Sequence, residues 1–283
     1  MKLIISVLFC LAVVMGNAQE KKAYQIFTAK GKKTSFGKMM KALQEKDIIL
    51  FGEYHNNAIA HWLQLEVTKE LGDKKTITLG AEMFEADNQI ALNKYLANEI
   101  SAKGLDSSAR LWKNYPTDYA PLVNYAKEKQ FRFIATNIPR RYASSVSKGG
   151  FQALDTLPQE QKKWIAPLPP AYDSSLPGYV NMMKMMGNHT SPNMPKAQAI
   201  KDATMAHFIL QNFQAGNTFI HFNGSYHSEN YEGILWYLKR QQPSLNYATI
   251  TTVSQKELAK LLQENKGKAD FIIVVDEDMT NTY

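Results

Sequence analysis

Six short apolar runs punctuate the chain, and the segments between them carry apolar residues at helical spacing. The runs are residues 48–51, 76–79, 131–135, 218–222, 247–253 and 271–275. Each is too short for a helix, and several are continuously apolar, as in strands buried on both faces. Between them, Phe36, Met39, Met40 and Leu43 recur at helical spacing behind a capping Ser35. Ile59, Leu63 and Val67, with Trp62 beside them, form a stripe that Gly72 ends. Residues 87–100 place Ile90, Leu92, Tyr95 and Leu96 on one face, and residues 196–213 and 233–240 are further helices. The run Ser254-Gln-Lys-Glu257 has the form of a capping box opening a helix. Residues 19–33 are polar and basic and read as a loose lead-in. Strands alternating with helices predict an α/β fold, with a mostly parallel sheet and helices on both faces.

The candidate chemistry sits where the runs end. Gly52-Glu-Tyr-His55 follows the first run, Gly80-Ala-Glu82 the second, Asn137-Ile-Pro-Arg140 the third and Gly224-Ser-Tyr-His227 the fourth. In a parallel sheet these strand ends share one edge, which is where ligands of open α/β sheets bind. Glu53, His55, Glu82 and His227 are therefore expected to form one strand-end site. Such a set suits general acid/base work, or a divalent metal held by His55, Glu82 and His227. Arg140 is a candidate for anionic groups of a ligand. His61, His207 and His221 lie inside periodic segments and read as packing or surface residues.

Composition narrows the setting. Residues 1–18 have a basic start at Lys2, an apolar stretch over 3–14 and small residues at Gly16 and Ala18, the form of a secretory leader. The remaining residues, 19–283, read as one domain. Cys10 is the sole cysteine and lies in that leader, so the mature chain can form no disulfide and offers no thiolate to a metal. Phe9 before it fits a lipid-anchor signal poorly, and an anchor is not supported. The formal charge of +7 comes from dispersed residues without aromatic-interleaved basic clusters, which argues against nucleic-acid binding.

Residues 158–195 hold seven of the eleven prolines and five of the twelve methionines. They belong to an insert, about 141–195, whose helical part is residues 177–186. There Tyr179, Met182, Met183 and Met186 share a face. This Pro/Met-rich insert is expected either to pack on the core or to act as an adaptable lid over a flat ligand, with His189 able to swing onto it.

Together with Gln89, Tyr95, Trp112 and the run Lys201-Asp202-Ala-Thr-Met-Ala206, the corner motifs resemble those of the ChaN-type haem-binding uptake proteins. These lie in the wider superfamily of Tiki, TraB and the erythromycin esterases. The resemblance spans about residues 35–247. It implies an α/β fold with a deep pocket, haem bound in pairs between two protomers of a homodimer, and a tyrosine as iron ligand. Helical placement selects Tyr179 for that role, with Tyr172 next, and Met183, Met186, His189 and Arg140 around the haem. Tiki relatives imply instead a metal-dependent hydrolase on His55, Glu82 and His227. The resulting expectation is an exported periplasmic or envelope-associated protein that binds haem for haem or iron acquisition and hands it to envelope transport partners. The rivals are that hydrolase and a partner-binding envelope domain whose strand-end residues are only structural.

Overall fold

The computed structural model describes residues 21–186 and 191–283; the expected leader and His189 lie outside the described residues. One eight-stranded sheet organises the fold. Its strands are β1 (Tyr24–Thr28), β2 (Lys33–Thr34), β3 (Ile48–Glu53), β4 (Ile77–Glu85), β5 (Arg132–Asn137), β6 (Thr218–Gly224), β7 (Tyr247–Gln255) and β8 (Phe271–Asp276). Their order is β2-β1-β8-β7-β3-β6-β4-β5. All neighbours pair in parallel except β1, which runs antiparallel to both β2 and β8.

The helices are α1 (Phe36–Leu43), α2 (Ala58–Gly72), α3 (Gln89–Leu96), α4 (Ala102–Ser108), α5 (Ala120–Glu128), α6 (Arg140–Gly149), α7 (Gln159–Lys162), α8 (Pro177–Met186), α9 (Met194–Asn212) and α10 (Ile234–Gln241). They cover both faces of the sheet. On one, Leu63, Val67 and Leu71 of α2 and Leu92 of α3 pack with Ile49, Phe51 and Leu79. On the other, α9 and α10 bury Met205, Ile209 and Leu238 against Ile48 and Leu50. Adjacent residues of β3 thus enter opposite cores, which is why the run 48–51 shows no polar alternation. Ser35 caps α1 as expected, its hydroxyl accepting from Lys38 N.

Several expectations are corrected. The lead-in is not loose: β1 pairs along its whole length with β8, and Ile26 and Phe27 are buried. Its strand is short and sits among polar residues, so no apolar run marks it. Ser254-Gln-Lys-Glu257 opens no helix; Ser254 and Gln255 end β7. The Gln255 side chain turns inward instead, where Nε2 donates to the carbonyls of Glu257 and Lys260 and Oε1 accepts from Leu262 N and Asn265 Nδ2. One buried amide thus organises the loop that a helix cap would have begun. Ile90 is 72% exposed rather than core.

The strands also run further than the apolar residues do. β4 continues through Gly80 to Glu85. Gly80 does not stop the strand; it allows close packing, because a Cβ there would lie 2.7 Å from the Phe219 ring. Glu53 and Glu82 are accordingly strand residues, held more rigidly than corner residues would be.

The insert is ordered around its own apolar cluster. Tyr142, Val146, Leu154 and Ile165 pack with Ala197 and Ile200 of α9. The helix expected at residues 177–186 is observed with those bounds.

Candidate functional site

Glu53 and His55 leave β3 at the carboxyl edge of the sheet. His55 Nδ1 lies 2.9 Å from Glu53 Oε1, and the Tyr119 hydroxyl donates to the same oxygen at 2.5 Å. Glu53 Oε2 accepts from Gln64 Nε2 of α2. Glu53 is buried, which alone would raise its carboxyl pKa, yet His55, His61 and Tyr119 together bring it below the usual value. Conversely the Glu53 and Glu82 carboxylates outweigh desolvation at His55 and raise its pKa. The His55 carbonyl accepts from Asn114 Nδ2 at 2.7 Å and from His61 Nε2 at 3.1 Å. Trp112 closes the imidazole edge, ring centres 4.7 Å apart.

Glu82 comes from the next strand but one. Its Oε2 accepts from Gly224 N at 2.8 Å, and its Oε1 lies 3.1 Å from His227 Nε2. The other nitrogen of that ring, Nδ1, meets Asp202 Oδ1 of α9 at 2.5 Å. One imidazole therefore joins two buried carboxylates. Burial works against its charge, but Glu82 and Asp202 win and raise the His227 pKa to about 9. Glu82 falls well below the usual carboxylate range through His227, against its own burial, whereas burial keeps Asp202 raised. The positive charge on His227 is thus shared between the two carboxylates it bridges.

The two halves touch at Gly224. A Cβ there would lie 2.8 Å from His55 Cε1 and 2.9 Å from His55 Nε2. Gly224→Ala is therefore expected to push the His55 ring off the Glu53 carboxylate. The His55 pKa, read by NMR titration, should fall towards an unperturbed histidine value; an unchanged value would refute this packing.

The four strand-end residues converge as expected. Two of them, His55 and Glu82, line a cleft of about 670 Å³ whose walls also include Leu111, Trp112 and Tyr283. Its rim is cationic: Arg110, Lys113, Arg140 and Arg141 all line it. Arg110 is tied to Glu85 at 2.8 Å and to Asp87, and Arg141 to Asp87 at 2.8 Å. Arg140 and Lys113 have no ion-pair partner among the described residues. Tyr283 is brought to the cleft by its neighbours. Asn281 bridges to Asn57, Thr282 N donates to Asn56 O at 3.0 Å, and the Thr282 hydroxyl donates to Asp118 at 2.6 Å.

Residues 39–238 match the family described as haem-binding uptake, Tiki superfamily, ChaN. The chain belongs to this ChaN haem-binding uptake family. A solved ChaN of Campylobacter jejuni, described as binding haem cofacially, is 19% identical and superposes with a TM-score of 0.67, covering 90% of this chain and 98% of that one. An erythromycin esterase variant in its open conformation is 10% identical, with a TM-score of 0.53 over 91% of this chain and 98% of that one. At these identities both likenesses speak for the fold alone. The chloroplastic protein RETICULATA-RELATED 5 of Arabidopsis thaliana is 23% identical over 164 residues, 53% of this chain but only 22% of that protein's length.

Within this ChaN-family chain the expected haem ligands fall differently from the strand-end set. Tyr179 is buried, 5% exposed, with no hydrogen-bond partner for its hydroxyl among the described residues. Its ring lies against Tyr172, centres 5.5 Å apart. Desolvation, reinforced by Asp202, drives its pKa far above the usual phenol range. Met183 is half-buried, and Met185 is the exposed methionine of α8 at 75%. Among the described residues none of α8 lines this cleft; Tyr179, Lys184 and Met185 line a separate cavity of about 430 Å³ beside Asp202 and Tyr226. The helix start is fixed to the second corner, where Tyr226 donates to Gly178 O at 2.5 Å.

A resident metal does not fit the strand-end donors as they stand. Both His227 nitrogens face carboxylates, Glu82 at Nε2 and Asp202 at Nδ1, so neither is turned to an open coordination position. Among the described residues no group of three or more His, Cys, Asp or Glu side chains is placed to hold a metal ion.

Asp202, Tyr119, Gln64, Asn114 and His61 were not singled out by sequence reasoning as site residues. Asp202 carried a signal, a lone acid on an alanine-rich helical face, and Tyr119 lies in a π turn over Tyr115–Tyr119, a geometry frequent at functional sites. His221 is the packing residue expected: fully buried, bonded to Thr136 and Asn223, and lowered by burial to about 4.

Proposed function

We propose that this chain is an exported haem-binding protein of the cell envelope, serving haem or iron acquisition, with haem held in the cleft in front of His55. Family membership supplies the ligand class. The observation that carries the placement is the cleft's pairing of an apolar wall with two unpaired cations. Its volume lies within the range of about 300–1,000 Å³ usual for cofactor pockets. Leu111 and Trp112 offer a flat apolar contact, and Arg140 and Lys113 suit the two carboxylates of a haem. Haem supplies its iron redox and ligand chemistry when bound; the protein's levers are the axial ligand and the charges around it. His55 suits the axial position less well, because its ring is already held by Glu53 at Nδ1 and packed edge-on against Trp112. Tyr283 suits it better: it lines the cleft and is 66% exposed, so its hydroxyl can reach iron without a buried phenol having to ionise.

Export rests on the leader-like composition of residues 1–18. A homodimer and envelope transfer partners follow from the same reading as proposals. The test of the ligand is spectroscopic. Tyr283→Phe is expected to change the ferric-haem absorption spectrum, and Tyr179→Phe to leave it unaltered. The opposite pattern would return the ligand to α8 and show that the helix moves when haem binds.

A second reading has its own support. Glu53–His55 beside Glu82–His227–Asp202 is an arrangement suited to proton transfer, as hydrolysis requires. On that reading His55, the more exposed of the two histidines, would exchange protons with substrate or water, while His227 would hold charge. Hydrolysis abolished by His55→Ala, in protein free of haem, would establish it.

A further inference from the structure

β5 is the outermost strand on its side of the sheet, opposite in order from β2. Among the described residues it pairs with β4 alone, so its other side is a row of main-chain donors and acceptors without a strand partner there. Two of these are taken by one side chain. Gln89 Nε2 donates to Phe133 O at 2.9 Å, and Gln89 Oε1 accepts from Ala135 N at 2.6 Å. The Gln89 carboxamide thus stands where a peptide group of a ninth strand would stand. Asn93 holds it there, its Oδ1 accepting from the same Nε2 at 2.8 Å.

A side chain that only protected the edge would fill the space beside it. Here a groove of about 640 Å³ stays open along β5, between α3 and the end of α9. Phe208 and Leu96 give it apolar contact. Among the described residues its charged lining consists of Lys127 and Arg132, with no acid. Ile90, 72% exposed, shares a helical face with Asn93 and Ala97, which line the groove, so an unburied apolar side chain lies on the same face.

We propose that this groove is a strand-addition site for an extended, acidic peptide segment of a partner protein, with the Gln89 carboxamide as the group the peptide displaces. The backbone of β5 supplies recognition, Lys127 and Arg132 select acidic side chains, and Ile90 takes an apolar one. The site lies apart from the strand-end cleft and does not depend on the ligand assigned there.

The test uses the mature chain and a labelled heptapeptide alternating glutamate and valine, followed by fluorescence anisotropy. Saturable binding is expected, lost when the central residue is proline, which removes a main-chain donor, and weakened about tenfold or more when glutamate is replaced by lysine. Gln89→Ala removes the competing amide and should tighten binding several-fold. Hydrogen exchange on the native chain gives a readout independent of that variant: the Ala135 amide should gain protection when the peptide is added. Absence of binding to both native and Gln89→Ala protein overturns the proposal. So does equal binding of the proline-containing peptide, or an edge that pairs only with a second copy of this chain.

Discussion

His227→Ala is expected to cost about 3–5 kcal/mol of folding stability, because it leaves Glu82 and Asp202 buried without their shared cation. Both carboxylates are buried and neither has another charged partner within ion-pair reach among the described residues. His55→Ala should cost much less, since the His55 side chain is 38% exposed and Glu53 keeps Tyr119 and Gln64 as donors. The pairing also sets a pH dependence whose sign is fixed. The His227 pKa is raised in the fold to about 9. Its contribution is fully present below the unfolded histidine value, about 6.5, and is lost as pH rises through about 9. The Glu82 pKa is lowered, so its contribution is present above the unfolded carboxylate value and lost as pH falls. Stability should therefore peak between these limits and fall more steeply on the alkaline side in the native chain than in His227→Ala, where the raised His55 still contributes. Urea unfolding at neutral and alkaline pH reads both effects. A variant as stable as the native chain, with the same alkaline decline, would show that the triad is not held by charge.

Reversing the two unpaired cations should have the largest effect on the ligand. Arg140→Glu and Lys113→Glu are each expected to weaken ferric-haem binding about tenfold or more, a charge-assisted hydrogen bond being worth about 1.5–3 kcal/mol. Arg110→Ala serves as the internal comparison. Its guanidinium is already engaged by Glu85 and Asp87, so its loss should matter less, although it lines the same cleft. Equal losses from all three variants would mean that the cleft attracts anions through its general field, rather than through the two free groups.

The strand-end site was legible because a buried parallel strand announces itself by an unbroken apolar run, and the residue after it lies at a shared edge. Ile48 to Phe51 led directly to Glu53 and His55, and Thr218 to Phe222 led to His227. What lay outside those runs was harder to read. Tyr119 and Gln64 reach Glu53 from 66 and 11 residues away, through tertiary packing that no local spacing encodes. Gln255 looked like the second residue of a helix cap, because its capping pattern is local while its burial under the 256–265 loop is not. In α8, periodicity placed Tyr179 correctly on an inward face but could not say whether that face met a cleft or the core. Tyr283 had no periodic context at all; the pairing of Asn281 with Asn57 and the hydrogen bonds of Thr282 bring it to the site.

The placement of haem in the strand-end cleft is tested most directly by an absorption titration of residues 19–283 with ferric haem, run beside Arg140→Glu. The native chain should give a saturable change in the haem spectrum, and the variant the same end-point spectrum reached at about tenfold or more higher haem concentration. A native chain that saturates identically to Arg140→Glu, or that shows no saturable change, would contradict it.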